Sequence, residues 1–437
     1  MIKELKCKNF KSFKKEQILS LEPINRLESD LDIFNIAEIG GEKLFKTAVI
    51  YGHNAYGKSN LFKALKTMIQ IIKFSGNNDY EINIDNFKLD EESSSLPSMF
   101  EITFILNELT YRYGFEIFKD TVIKEWLYKK NKREVNIYNR ENEININTSY
   151  REKLKKYVEF TRKDELFLSS MIRNNIQDEM KEIYKKLTED IVIISGEQIN
   201  THMTSTLILE NDERSIKELI LTCLKFADLG ISDISVKEDE KSASEIPDFI
   251  RELFAKNTKD MNTSKGKWVE IQEQIVHKKY NNEGLEIGTI DFDLLANESE
   301  GTIKFYSLLG PILDSLLNGK SVFIDELDSK LHNTLTTKII NLFNNLGINK
   351  KNSQLIFNTH DLQILSDKFF RRDQIYIVDK NEYGESELAS IGDYKGIDKK
   401  TNILKHYLAG NFGGIGRVKD INDLSFNNIS NNNLMGD

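Results

Sequence analysis

The octapeptide GHNAYGKS, Gly52 to Ser59, constrains this chain more than any other stretch. It follows the apolar run TAVIY and precedes SNLFKALKTMIQIIKF, whose apolar residues recur at helical spacing, so strand, glycine turn and helix come in that order. In that setting G-x-x-x-x-G-K-[ST] is a phosphate cradle: glycines let successive N–H groups point inward, and the helix N-terminus adds partial positive charge. A chance Lys-Ser after a glycine turn is the alternative, and the flanking strand and helix weigh against it. Gly52, Asn54, Gly57, Lys58, Ser59 and Asn60 are therefore expected to bind nucleotide, with Lys58 on the β and γ phosphates of ATP and the Ser59 hydroxyl on Mg²⁺.

Two later strands extend the same chemistry. In SVFIDELD the apolar run Val322-Phe323-Ile324 reads as a buried strand, and Asp325 emerges at its C-terminal end, where ligands sit in open α/β sheets. Asp325 is expected to hold Mg²⁺, and Glu326 to act as general base for an attacking water. LIFNTHDLQIL is a second apolar strand, ending in Asn358-Thr359-His360, and its His360 is placed to meet the γ-phosphate or that water.

At 437 residues and 50.6 kDa the chain exceeds one compact core, so one large domain with an insertion is expected. Residues 1–149 read as the first part of that domain, 150–265 as a helical insertion with a mobile polar loop from Lys237 to Asp248, 266–420 as the second part, and 421–437 as a frayed tail. The aromatic and β-branched run from Phe100 to Lys130 suggests antiparallel strands beside a parallel sheet. Two cysteines, no apolar run long enough for a membrane span and no secretory leader give the expectation of a cytoplasmic protein without a membrane partner. A net charge of −9 argues against a surface built throughout for nucleic acid.

One stretch stays unexplained by these motifs. ESEGTIKFYSLLGP places Ser299-Glu300-Gly301-Thr302 at the start of an apolar helical pattern, which a simple N-cap would account for. The order of phosphate loop, Ser-x-Gly-Thr, Asp-Glu and a strand ending in His resembles the ABC-type ATPase heads of chromosome-maintenance and recombination-repair proteins. More narrowly, GHNAYGKSNL, YRYGFEI, EWLY, RRDQIYIVDKNEYGESEL and YLAGNFGGI make the chain resemble the bacterial AAA-type ATP-binding family with such heads, associated with abortive infection and phage defence, and related to overcoming-lysogenization-defect ATPases.

That resemblance implies an α/β P-loop NTPase fold with a mixed sheet, an antiparallel β part and a helical insertion. It also gives Ser299, Gly301 and Thr302 a role, closing on the γ-phosphate held by a partner chain, and hence implies an ATP-dependent homodimer or larger homo-oligomer with Asp328 and Ser329 at the seam. ABC-type heads usually carry a Gln after the phosphate-loop helix; here Asn86 is the nearest polar candidate.

Three functions compete. The first is a sensor ATPase answering a phage trigger and controlling a separately encoded effector, a nuclease or toxin. Only 77 residues (437 minus 360) follow His360, too few for an added nuclease domain, and the acids Asp373, Asp379, Glu382, Glu385 and Glu387 read as a solvated hairpin. The second is a DNA-maintenance clamp, which needs long heptad helices that 150–265 does not supply; Lys153, Lys155, Lys156, Arg162 and Lys163 read as a solvated helix face. The third, a transporter's ATPase subunit, lacks its Gln.

Overall fold

The computed structural model describes residues 1–24, 30–196, 199–210, 215–227, 230–241, 268–366, 369–397 and 401–416. The chain begins with β1 (Ile2–Lys8), β2 (Gln17–Ser20), a small hairpin of β3 (Ile36–Ile39) and β4 (Glu42–Phe45), the strand β5 (Thr47–Tyr51) and the long helix α1 (Lys58–Phe74). A meander follows: β6 (Ser98–Leu106), β7 (Leu109–Phe118), β8 (Thr121–Lys130), β9 (Glu134–Arg140) and β10 (Ile144–Ile146). Next come α2 (Phe167–Arg173), α3 (Glu179–Thr188), β11 (Ile191–Ile194), α4 (His202–Glu210), α5 (Ser215–Phe226), β12 (Ile231–Lys241), β13 (Trp268–Tyr280) and β14 (Glu286–Asp293). The chain continues through α6 (Glu300–Asn318), β15 (Ser321–Ile324), α7 (Asn333–Asn344), β16 (Gln354–Asn358), β17 (Ile375–Lys380), β18 (Ser386–Ser390) and α8 (Ile403–Leu408).

Two large sheets organise these elements. The central one runs β11-β15-β16-β5-β17-β18, parallel except for the last strand. Its register sets Ile324 beside Phe357 and Phe357 beside Val49, so three strands end within two residues of one another and deliver Asp325, Asn358 and Gly52 to one edge. The second sheet is antiparallel, in the order β10-β9-β8-β7-β6-β1-β2. The α/β fold of the P-loop NTPase kind, with an antiparallel β part, is thus present.

Strand alternation divides the core. Ala48 and Ile50 of β5 face the cluster that holds α1 and the antiparallel sheet, whereas Val49 and Tyr51 face the cluster built on α6 and α7. Helix α1 buries Leu61, Leu65, Met68 and Ile72 at helical spacing against the first. Helix α6 is buried nearly all round, and each of its enclosed Leu or Ile side chains contributes about 1.5–3 kcal/mol. Gln354 joins the layers: its amide donates to the Ile2 and Phe45 carbonyls at 2.8 and 2.9 Å and accepts from the Ser321 hydroxyl at 2.9 Å.

Several expectations change. The segment 150–265 is not simply a helical insertion, because β11 within it is the edge strand of the central sheet and α2 and α3 pack on the same core as α1. The stretch Lys237–Asp248 is not all loop: Lys237–Lys241 pairs with β13, and 242–248 lies outside the described residues. The acids after His360 do flank a hairpin, yet β17 pairs with β5 inside the sheet and Asp373 is buried in an ion pair with Arg371 at 2.8 Å, so it is not a solvated one. Arg162 is more than a solvated cation, since its guanidinium donates to Asn78 at 2.9 Å and to the Gly76 carbonyl. The expected tail, 421–437, lies outside the described residues.

Candidate functional site

The phosphate loop takes the shape its glycines permit. Gly57 sits at φ 110°, and a Cβ there would lie 2.6 Å from the Ser12 hydroxyl and 2.7 Å from that of Ser386, so only glycine fits. His53, Asn54 and Ala55 form the exposed arch of the loop, and Ala55 takes φ 65°. The Asn60 amide, at the start of α1, donates to the Ser12 hydroxyl at 2.8 Å.

Lys58 turns back under the arch. Its ammonium donates to the Gly52 carbonyl at 2.7 Å and to the His53 carbonyl at 3.3 Å, and the residue is buried. Burial depresses its pKa from the ordinary lysine range, against the opposing pull of Glu326, Asp325 and Asp328. A desolvated cation beneath a glycine-rich loop at a helix N-terminus has a strong electrostatic demand for an anion.

The acidic strand meets this loop through one hydrogen bond: the Ser59 hydroxyl donates to an Asp325 carboxylate oxygen at 2.9 Å. The same oxygen accepts from the Asn358 amide, whose own carbonyl oxygen accepts the Glu326 N–H at 2.6 Å. Asn358 is fully enclosed and clamps Asp325 and Glu326 together. Glu326 adopts φ 54°, uncommon for a non-glycine residue. A hydroxyl and a carboxylate fit Mg²⁺, a hard cation usually held by few protein oxygens together with water and phosphate.

His360 follows on the next strand end, its N–H donating to the Asp328 carboxylate at 3.1 Å. Its ring is exposed at the rim, yet partial desolvation and then the Lys58 charge lower its pKa below the ordinary histidine value, despite Asp328 and Glu326. Near neutral pH it is an uncharged imidazole that can accept or donate one hydrogen bond.

Ser299, Gly301 and Thr302 lie apart. Among the described residues no hydrogen bond links them to Gly52–Asn60. Ser299 caps α6, accepting the Thr302 N–H at 3.1 Å while the two hydroxyls lie 2.9 Å apart. A Cβ on Gly301 would come 3.1 Å from the Lys330 carbonyl, and Lys330 pairs with Glu300 at 3.4 Å, so this helix start leans on the loop that follows Glu326. Asn86 is engaged elsewhere, donating to the Leu96 carbonyl at 3.1 Å, and is not brought to the loop.

Sequence reasoning passed over Asn358 and Ser12. The signal for the first was a polar residue closing a wholly apolar strand; for the second nothing local pointed to a site 40 residues on. The segment YLAGNFGGI also reaches the loop. The Gly414 N–H donates to Asp379 at 2.9 Å, and this segment walls a cavity of about 340 Å³ with Gly52, His53, Asn54 and His360.

A family model described as "AAA domain, putative AbiEii toxin, Type IV TA system" matches residues 48–149 and 209–366, which include the phosphate loop, Ser299–Thr302, Asp325, Glu326 and His360. Among solved structures, the SMC head domain from Thermotoga maritima is similar at 15% identity and a TM-score of 0.39, over 89% of this chain and 98% of that one. No curated protein sequence matches. Among the described residues no helix is long and apolar enough to cross a membrane.

Proposed function

Because this chain belongs to the AAA-domain family whose model spans both its phosphate loop and its acidic strand, we propose that it is a Mg²⁺-dependent ATPase that closes as a homodimer around ATP. In this reading it is the ATPase component of an abortive-infection system and controls a separately encoded effector. The observation that carries the ATPase is the junction of Ser59, Asp325 and Asn358 beside the buried Lys58, which joins the two ends of a nucleotide site by hydrogen bonds.

The residues divide the work. The loop N–H groups and Lys58 bind the β and γ phosphates, replacing the water the ammonium has lost. When bound, Mg²⁺ at Ser59 and Asp325 would neutralise phosphate charge. Glu326, aimed by its left-handed backbone and by Asn358, accepts the proton of an attacking water. His360, neutral at physiological pH, hydrogen-bonds the γ-phosphate or that water. Ser299, Gly301 and Thr302 present a second anion site at the start of α6, used by the partner's nucleotide.

Phosphate release by the purified protein tests the enzyme. Wild type is expected to turn over only with Mg²⁺, Lys58→Ala to lose nucleotide binding, and Glu326→Gln to bind without turnover. Degradation of DNA or RNA by this chain alone would contradict the assignment of the effector to another protein.

A further inference from the structure

Lys304 is an unusual side chain for the interior of a helix. It lies one turn beyond Gly301 on α6, is 0% exposed, and its ammonium donates to the Gly196 carbonyl at 2.9 Å. Desolvating an ammonium is costly, and an apolar residue would fill the same volume without that cost. Its pKa lies below the ordinary lysine range, first because of burial and then because of Lys330, with Glu326 pulling the other way.

Gly196 is the more telling end of this hydrogen bond. It lies in the turn after β11, and a Cβ built on it would collide with the Asp325 carbonyl oxygen and come 2.7 Å from the Glu326 Cβ. Only glycine fits between the turn and the two acids. Glu326 is thus enclosed on two sides, by Asn358 at its N–H and by Gly196 behind its Cβ, and holds φ 54° under that packing. The N–H of Asp325 also donates to Ile194 at 2.9 Å, so the β11 end and the acidic pair share one backbone frame.

We infer that Lys304 is a positioning residue for Glu326, transmitting the position of the Ser299–Thr302 helix start through the Gly196 carbonyl to the catalytic acid of the same chain. The inference rests on the composite-site reading above. There, the Ser299–Thr302 end of one chain meets the partner's ATP while Glu326 of that chain acts on its own. A shift of α6 on docking would move Lys304 and Gly196 with it and re-aim Glu326. The relay therefore couples the two composite sites: filling one prepares the acid of the other.

Lys304→Met removes the ammonium while keeping a long unbranched side chain, and Lys304→Arg restores a cationic donor. For the full chain with ATP and Mg²⁺, Lys304→Met is expected to lower kcat about 10-fold or more with KM changed less than about two-fold. The ATP-concentration dependence of the rate, cooperative in wild type, should become hyperbolic, while ATP-driven dimerisation persists in the Glu326→Gln background and Lys304→Arg recovers part of kcat. Wild-type kinetics in Lys304→Met overturn the relay, as does a rate loss matched by loss of dimerisation, which would make Lys304 a support of the helix alone. A wild type that binds ATP and neither dimerises nor turns over removes the composite-site reading and the relay with it.

Discussion

Replacing Asn358 by leucine asks whether the clamp on the acidic pair is structural alone or also sets the metal site. The residue is 0% exposed, and leucine has the same number of side-chain heavy atoms, so no large cavity opens. Two interactions vanish: the amide donated to Asp325 and the acceptor for the Glu326 N–H at 2.6 Å. A hydrogen bond to a charged group contributes about 1.5–3 kcal/mol and an orphaned buried N–H costs about 1–3 kcal/mol, but water reaching half-buried Asp325 recovers part, leaving a net loss of about 2–4 kcal/mol. Urea unfolding should show it as a lower midpoint with an unchanged slope. On the proposed role of Asp325 as a Mg²⁺ ligand oriented by Asn358, the Mg²⁺ concentration for half-maximal ATPase should also rise roughly 10–100-fold. A variant that loses the stability yet keeps wild-type Mg²⁺ dependence would refute the account of Asn358 as an orienting residue.

Two further outcomes follow from the same geometry. His360 has its folded pKa below the unfolded value of about 6.5, so the unfolded chain binds more protons in that interval. Its contribution to stability therefore rises with pH from the folded pKa to about 6.5 and is flat above; an NMR titration midpoint at or above 6.5 would count against the depression by Lys58 and desolvation. Ser299→Arg or Gly301→Asp should leave ATP affinity within about two-fold of wild type while abolishing ATP-driven association and turnover, and mixing either with Lys58→Ala chains should restore at most one working site per dimer; loss of ATP binding by the single variants would place this segment in the chain's own site.

The phosphate loop, the acidic strand and the His360 strand were legible because each is a short apolar run ending in polar residues, a pattern that survives without knowledge of tertiary contacts. The order of those strands was not: β16 lies between β5 and β15, which depends on pairings across some 300 residues. The segment 150–265 reads as a helical insertion because its helices are charged outside, and Ile191–Ile194 is only four residues long and passes for part of that helical stretch until β15 is there to pair with it. Asn358, at the end of β16, and Gly196, in the turn after β11, meet Asp325 and Glu326 from distant parts of the chain, so their contacts exist only in three dimensions.

ATP-dependent closure is tested most directly by the mass of Glu326→Gln in solution. Each chain is 50.6 kDa, and sedimentation or light scattering with ATP and Mg²⁺ should report a species of about twice that mass, reverting to the single-chain mass when ADP replaces ATP. A protein that binds ATP and keeps one mass throughout, or that dissociates when ATP is added, would contradict the composite site at its foundation.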